Sequence, residues 1–487
     1  MVGMKFENVA DVILNGLRIA AQKPALKFGD LVLSGNETFD TITNIKDFLH
    51  NHGVNRGDRI LFINDGDAYF PLIFHSIVNL FAIVIPCPVG RNIRVGEDYL
   101  LRVTDPCYVI HANKSVDKTC LSIPGTPYYL SVRNTHSNKN SEVLQNLNVA
   151  SIMYTSGTTG VPKGVMITHE NLITTIHKNI EVQGLSRNTI ELNTLPLTHS
   201  FGLGQLNATM AAGGCSRIVR GLANVGRFFK EASSKDISSL PLTPLGVKIL
   251  TGRYDKLLEE YFINLKTIMV NSAPLPPEYS NKLFDVFPKI RLLVYYGLTE
   301  ASRSTFHELS RSNEGSLIAV GKPIGDTKVK INDFNSEILI SGSNVSPGYF
   351  YDSKTPISLH DEGVLKTGDK GYLDSSDNLV IVGRIFDEIN IGGFKIDPLE
   401  VERLAEEVYG IDVACLTLDE SDPDFVEPIL LVQSSKSFEI DTVFEHLKKC
   451  LDHYKVPKQI VTIDKIPVGE SGKLDRKNAQ LYYKETK

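Results

Sequence analysis

The sequence predicts an α/β protein with parallel strands, and three observations carry that prediction. Short apolar runs rich in β-branched residues, such as Arg59 to Ile63 and Leu80 to Ile85, alternate with longer helix-like stretches. Hydrophobic residues make up 42% of the chain and charged residues 22%, a balance that buries a large core and excludes disorder and collagen-like structure. The 487 residues accommodate about three structural units at roughly 150 residues each.

Near the start, Val9, Ile13 and Leu17 fall four apart, as on one face of an amphipathic helix. Polar residues interrupt this stretch, so it lacks the continuous apolar region of a secretory signal. The most apolar run, Leu80 to Val89, contains Pro86 and Pro88 and is about half the ~20 residues that cross a bilayer, so no membrane span is expected. A net charge of -6 leaves no basic surplus for a phosphate backbone, which argues against nucleic acid as a partner. Six cysteines are scattered without a Cys-x-x-Cys pair, suggesting neither a zinc site nor a disulfide framework and fitting a cytoplasmic location. Ser131 to Ser141 is polar and lacks apolar periodicity, as an exposed loop does. Gly383-Arg384 closes a strand that begins at Leu379, and the chain beyond it has strands and helices of its own, which places a domain boundary at Gly383 to Asp387. The segment from Val468 to Asp475 is polar and near the chain end, where flexibility is expected.

The chemistry concentrates in five segments. Tyr154-Thr-Ser-Gly-Thr-Thr-Gly-Val-Pro-Lys-Gly164 follows a strand-like run and gathers hydroxyls, glycines and one lysine. Glycines let backbone N–H groups approach an anion, hydroxyls add donors and lysine adds a compact positive charge, so a phosphate cradle is the natural reading. Pro162 stands where a P-loop needs glycine, and Gly202-Leu-Gly204 has Asn207 where a Rossmann fingerprint needs its third glycine. Tyr295-Tyr-Gly-Leu-Thr-Glu300 puts an aromatic, a hydroxyl and a carboxylate at a strand end, where α/β folds bind ligands. Thr367-Gly-Asp369 offers a carboxylate suited to a ribose diol. Gly383 to Ile396 joins Arg384 to the pair Gly392-Gly393, and Pro467 to Lys473 ends in a lysine.

In this order the segments resemble the adenylate-forming superfamily of acyl-CoA synthetases, nonribosomal-peptide adenylation domains and firefly luciferase. The resemblance implies a large N-terminal domain, residues 1–383, of two stacked α/β subdomains plus a small β-barrel, and a smaller mobile α+β C-terminal domain, residues 384–487. It implies ATP-dependent activation of a small carboxylic acid to an acyl-adenylate, then transfer to the thiol of coenzyme A or of a phosphopantetheine on a separate acyl carrier protein. Thr155, Ser156, Gly157, Thr158, Thr159, Gly160 and Lys163 would hold the β- and γ-phosphates of ATP. Tyr296 and Gly297, with Ser272 and Ala273, would border adenine, Thr299 would meet the α-phosphate and Glu300 would help hold Mg²⁺. Asp369, assisted by Arg384, would bind the ribose hydroxyls. Lys473 would bridge the attacking carboxylate and the α-phosphate, and His199 would border the carboxylate and thiol path.

Two departures qualify the pattern. Phe386 stands where the family's hinge usually has Asp or Lys. Ser200 stands near the position where amino-acid activators keep an aspartate, which argues against an α-amino acid substrate. Arg303 follows the Glu300 motif closely enough to meet a second anionic group on the substrate, or to be structural. An α/β serine hydrolase is disfavoured because no Gly-x-Ser-x-Gly elbow occurs. An adenylation-only enzyme or a nucleotide-binding regulatory relative are the alternatives within the family.

Overall fold

The structure is a computed structural model that describes residues 6–64, 66–89, 97–112, 120–133, 141–155, 163–311, 318–351, 358–385, 389–391, 394–396, 398–419, 427–468 and 474–486. The chain forms two compact units: Met1–Val329 with Leu339–Leu365, and Lys330–Ile338 with Lys366–Lys487. The α/β class expected from the sequence is the class observed.

The first unit holds two large sheets. In one, the strands Pro24–Phe28, Cys215–Ile218, Ile190–Asn193, Ser239–Leu242, Thr267–Val270 and Arg291–Tyr296 lie side by side and parallel. Thr305–Leu309 and Ala319–Pro323 continue it antiparallel beyond Arg291–Tyr296. Thr267–Val270 is buried along its whole length, as a parallel strand covered on both faces must be. The second sheet has nine strands, with Arg59–Asn64 and Ile83–Pro88 parallel at its centre and the antiparallel hairpin Val149–Thr155/Lys163–Thr168 beside them.

Helix Val9–Ala20 forms where the four-residue spacing predicts it: Val9, Ile13 and Leu17 are fully buried, and the Asn8 side chain caps its start by accepting from the Ala10 N–H. Ser131 and Val132 belong to strand Tyr129–Val132, paired with Tyr108–His111, so the loop expected from Ser131 starts later. The local polarity hides this because Ser131 satisfies its hydroxyl on buried His111, 2.8 Å away. Among the described residues no helix is long and apolar enough to cross a membrane.

In the second unit, Val413–Asp419, Glu427–Gln433 and Gln459–Thr462 form a three-stranded sheet. Its alternation decides both faces. Leu416, Leu430 and Val432 pack with Val401 and Leu447 of helices Pro398–Glu406 and Ile440–Cys450, whereas Cys415, Ile429 and Leu431 pack with Ala479 and Tyr483 of helix Arg476–Thr486. The chain end is therefore anchored. Val468 and Leu474 pair across residues 469–473, Asp475 N–H donates to Pro467 O at 3.0 Å, and Arg476 reaches buried Glu402 at 2.5 Å. The flexibility expected for Val468 to Asp475 thus does not extend to the described flanks, because a buried ion pair and a helix hold them. Lys473 lies outside the described residues, as do Ser156 to Gly160, Phe386, Asp387, Gly392 and Gly393.

Candidate active site

The carboxyl ends of the parallel strands supply the first cluster, as expected where such strands open toward a crevice. Asn271 follows strand Thr267–Val270 and donates from Nδ2 to the Tyr295 carbonyl at 2.6 Å, tying two strand ends together. Ser272 next to it has φ 94°, a left-handed conformation unusual outside glycine. Tyr296, at the end of strand Arg291–Tyr296, is buried. The chain then turns sharply: Leu298 and Ala301 exchange backbone hydrogen bonds, and Ser304 N–H donates back to Tyr296 O. Only glycine fits position 297, because a Cβ there would stand 2.6 Å from the Arg303 nitrogen.

That turn presents Thr299 and Glu300, both half-buried. Glu300 is fixed at both ends. Its carbonyl accepts from Ser346 N–H at 2.7 Å, and its Oε1 accepts from the Tyr349 hydroxyl at 3.1 Å. Burial, then the nearby Glu300 charge, raises the Tyr349 phenol well above its ordinary value, so Tyr349 stays protonated and remains a donor.

The second sheet brings its cradle to the same place. Thr155 and Lys163 face each other at the open end of their hairpin, the feet of the loop that carries Ser156 to Gly160. Strand Gly348–Phe350 pairs with Lys163–Thr168, which sets the Lys163 ammonium 5.2 Å from the centre of the Tyr349 ring. Tyr349 thus contacts both Lys163 and Glu300. Sequence reasoning missed Tyr349: it lies on a three-residue strand, and only the pairing across the sheet reveals its place.

His199 stands at the start of helix Ser200–Ala211 with an exposed side chain and no capping hydrogen bond. Desolvation by the surrounding protein lowers its pKa from the ordinary imidazole value. Arg303 is turned into the protein rather than toward a second substrate anion. It is 1% exposed and donates to Ser200 O at 3.3 Å, Phe201 O at 3.2 Å and Ser302 Oγ at 2.9 Å. The adjoining cavity of about 20 Å³ has room for a water and not for a carboxylate.

In the second unit, Asp369 and Arg384 lie opposite each other on the paired strands Val364–Leu373 and Leu379–Arg384. Arg384 Nε donates to Asp369 Oδ1 at 2.8 Å. The Thr367 hydroxyl accepts from Asp369 N–H, and Gly368 takes φ 71° while its N–H donates to Glu337 at 2.9 Å. The structure therefore brings together Thr155, Lys163, Thr299 and Glu300 in one unit and Asp369 with Arg384 in the other.

A hydroxyl, a carboxylate and a lysine thus stand at strand ends of two sheets in one α/β unit. The chain belongs to the AMP-binding enzyme family, whose model matches residues 18–350. Among relatives, it is 26% identical to a 2-succinylbenzoate–CoA ligase of Listeria monocytogenes over 94% of this chain and 96% of that protein. It is 25% identical to 4-coumarate–CoA ligase-like 6 of Arabidopsis thaliana over 88% and 82%. Among solved structures, ATP-bound MatB from Rhodopseudomonas palustris superposes with a TM-score of 0.81 at 19% identity, covering 98% and 99% of the two chains. The o-succinylbenzoate CoA synthetase MenE of Bacillus subtilis, in complex with its acyl-adenylate intermediate, superposes with a TM-score of 0.77 at 21% identity over 96% and 97%.

Proposed function

We infer that this protein is an AMP-forming acid–thiol ligase. It uses ATP to convert a small carboxylic acid to an acyl-adenylate, releasing pyrophosphate, and passes the acyl group to coenzyme A, releasing AMP. The observation that carries this reading is the contact of Tyr349 with both Lys163 and Glu300, at the feet of a hydroxyl-rich loop and beside Thr299.

In the first step a carboxylate oxygen bonds to the α-phosphorus, and the bond to the β-phosphate oxygen breaks with its electron pair leaving on pyrophosphate. Charge then crowds the phosphoryl oxygens, and preorganised donors are the main help a protein can give. Lys163 and the Thr155 to Gly160 loop hold the departing phosphates, Thr299 the α-phosphate, and Tyr296, Gly297, Ser272 and Ala273 border adenine. Asp369 accepts from the ribose hydroxyls beside Arg384, and Lys473 draws the two anions together. Glu300 fits Mg²⁺: it is a half-buried carboxylate with one oxygen oriented by Tyr349, the hard donor that ion takes. Bound Mg²⁺ neutralises phosphate charge. In the second step the thiol sulfur gives up its proton to solvent and bonds to the acyl carbon, and the carbon–oxygen bond to AMP breaks with its electron pair leaving on the AMP phosphate. His199 borders this path, and the C-terminal domain, residues 384–487, supplies Lys473 to the first step and Gly393 to the second.

Ser200 offers no counter-charge for an α-ammonium group, so the substrate is an acid without one. The phosphopantetheine of a separate carrier protein presents the same thiol as coenzyme A, and the absence of cysteine pairs fits a cytoplasmic enzyme. Incubation with ATP, Mg²⁺, coenzyme A and a panel of fatty, hydroxy, aromatic and amino acids, read by mass spectrometry, tests the reading. Equal amounts of AMP and one acyl-CoA are expected. Acyl-adenylate without thioester would make it an adenylation-only enzyme, and ADP as product would overturn the proposal.

A further inference from the structure

Beneath the turn that bears Thr299 and Glu300 lies a buried charge that the proposed chemistry does not use. Arg303 adopts φ 57°, which points its side chain away from the turn and across the first turn of helix Ser200–Ala211. The guanidinium lies 5.1 Å over the Tyr295 ring. Its far side approaches Gln205 Oε1 at 3.5 Å, and Gln205 Nε2 donates to Glu191 Oε2 at 3.2 Å. Glu191 is fully buried on strand Ile190–Asn193, where Thr209 also donates to it. A carboxyl group and a guanidinium thus share one buried interior, joined through an amide.

Helix Ser200–Ala211 makes room for this. A Cβ at Gly204 would stand 2.3 Å from Arg303 Nη1 and 2.5 Å from Cζ and Nη2, so any larger residue must displace the guanidinium. Glycine inside a helix is otherwise disfavoured by roughly 1 kcal/mol relative to alanine. The guanidinium is wedged between two segments: the turn carrying Thr299 and Glu300, and the helix start carrying His199 and Ser200.

We propose that Arg303 is a positioning residue that sets the register between these two segments, with Gly204 as its seat and the buried Gln205–Glu191 pair behind it. The inference rests on the reading of Thr299 and Glu300 as phosphate and metal contacts. A fork of two N–H groups bound to adjacent carbonyls fixes both distance and angle, which a lysine cannot do. On that reading the α-phosphate meets Thr299 at the turn and the acid passes His199 at the helix start, so an error in the spacing of the two segments acts on the reaction.

Gly204→Ala and Arg303→Lys, alone and together, test this in acid-dependent ATP–pyrophosphate exchange. Each single variant lowers kcat about tenfold, as small misplacements do, with the KM for ATP unchanged. The double variant is no worse than either alone, because both act on one contact. A merely structural role predicts a lower melting temperature and a raised KM in each single variant, with losses that multiply in the double. That pattern, or full activity in Gly204→Ala, overturns the proposal. Glu300→Gln separates the two readings: if it leaves exchange intact, the site reading fails, and if it abolishes exchange while Gly204→Ala does not matter, only this inference fails.

Discussion

Each unit contains an arginine–carboxylate couple, and the two differ in how far water reaches them. In the first unit, Arg303 and Glu191 are 1% and 0% exposed and meet through Gln205. In the second, Arg384 donates straight to Asp369, and its side chain is 30% exposed. Burial moves both members of the first couple toward their neutral forms, lowering the arginine and raising the Glu191 acid to about 7. Desolvation there exceeds the mutual attraction, so that couple contributes geometry more than stability. The second couple is the pair at which the ladder between its two strands ends, with Asp369 buried and Arg384 reaching water. An arginine and a carboxylic acid thus meet through an amide in a closed interior in one unit and directly, with the arginine half-exposed, in the other.

The largest expected effect breaks the first couple. Glu191→Ala leaves buried Gln205 and Thr209 without their shared acceptor and lowers the unfolding free energy by about 3 kcal/mol in urea titrations. Asp369→Ala costs about 1 kcal/mol or less, because Arg384 reaches water. Equal losses in the two variants would erase the distinction. Next in size is nucleotide affinity: Asp369→Ala weakens AMP binding by about 10–100-fold in calorimetry, the range for hydrogen bonds to a charged acceptor. Glu191→Gln leaves that affinity unchanged.

A smaller effect appears with pH. The folded state holds the Glu191 proton up to about pH 7, whereas the unfolded chain loses it near the ordinary glutamate value. Between those values the folded state binds more protons, so this residue's contribution to stability is fully present at low pH and is lost as pH rises through about 7. Glu191→Gln should remove that slope, at most about 1.4 kcal/mol per pH unit, from the stability profile measured between pH 5 and 8. Smallest is Tyr349→Phe, which removes one hydrogen bond to Glu300 and lowers exchange activity about fivefold while preserving the fold.

Much of this was legible in the sequence because its signals are local. The four-residue spacing of Val9, Ile13 and Leu17 and the apolar run into Tyr296 specify their elements within a few residues. Tyr349 was invisible because its partners are 49 residues away at Glu300 and across a sheet at Val165. Glu191 looks like an ordinary solvent-facing residue in a short strand, and only the helix above that strand buries it. Arg303 left two readings open, and its packing against Gly204 decides between them. The chain end looked loose because Arg476 and Glu402, 74 residues apart, give no local sign of their ion pair.

The central claim is that this chain joins a carboxylate to AMP. Exchange of labelled pyrophosphate into ATP, measured with Mg²⁺ across the acid panel, tests it most directly. The account predicts exchange that depends on a carboxylic acid without an α-ammonium group and falls about 10²–10³-fold in Lys473→Ala, the usual loss for a preorganised charge-stabilising group. Exchange with a standard α-amino acid alone, or no exchange with any acid while ATP is cleaved to ADP, would contradict it.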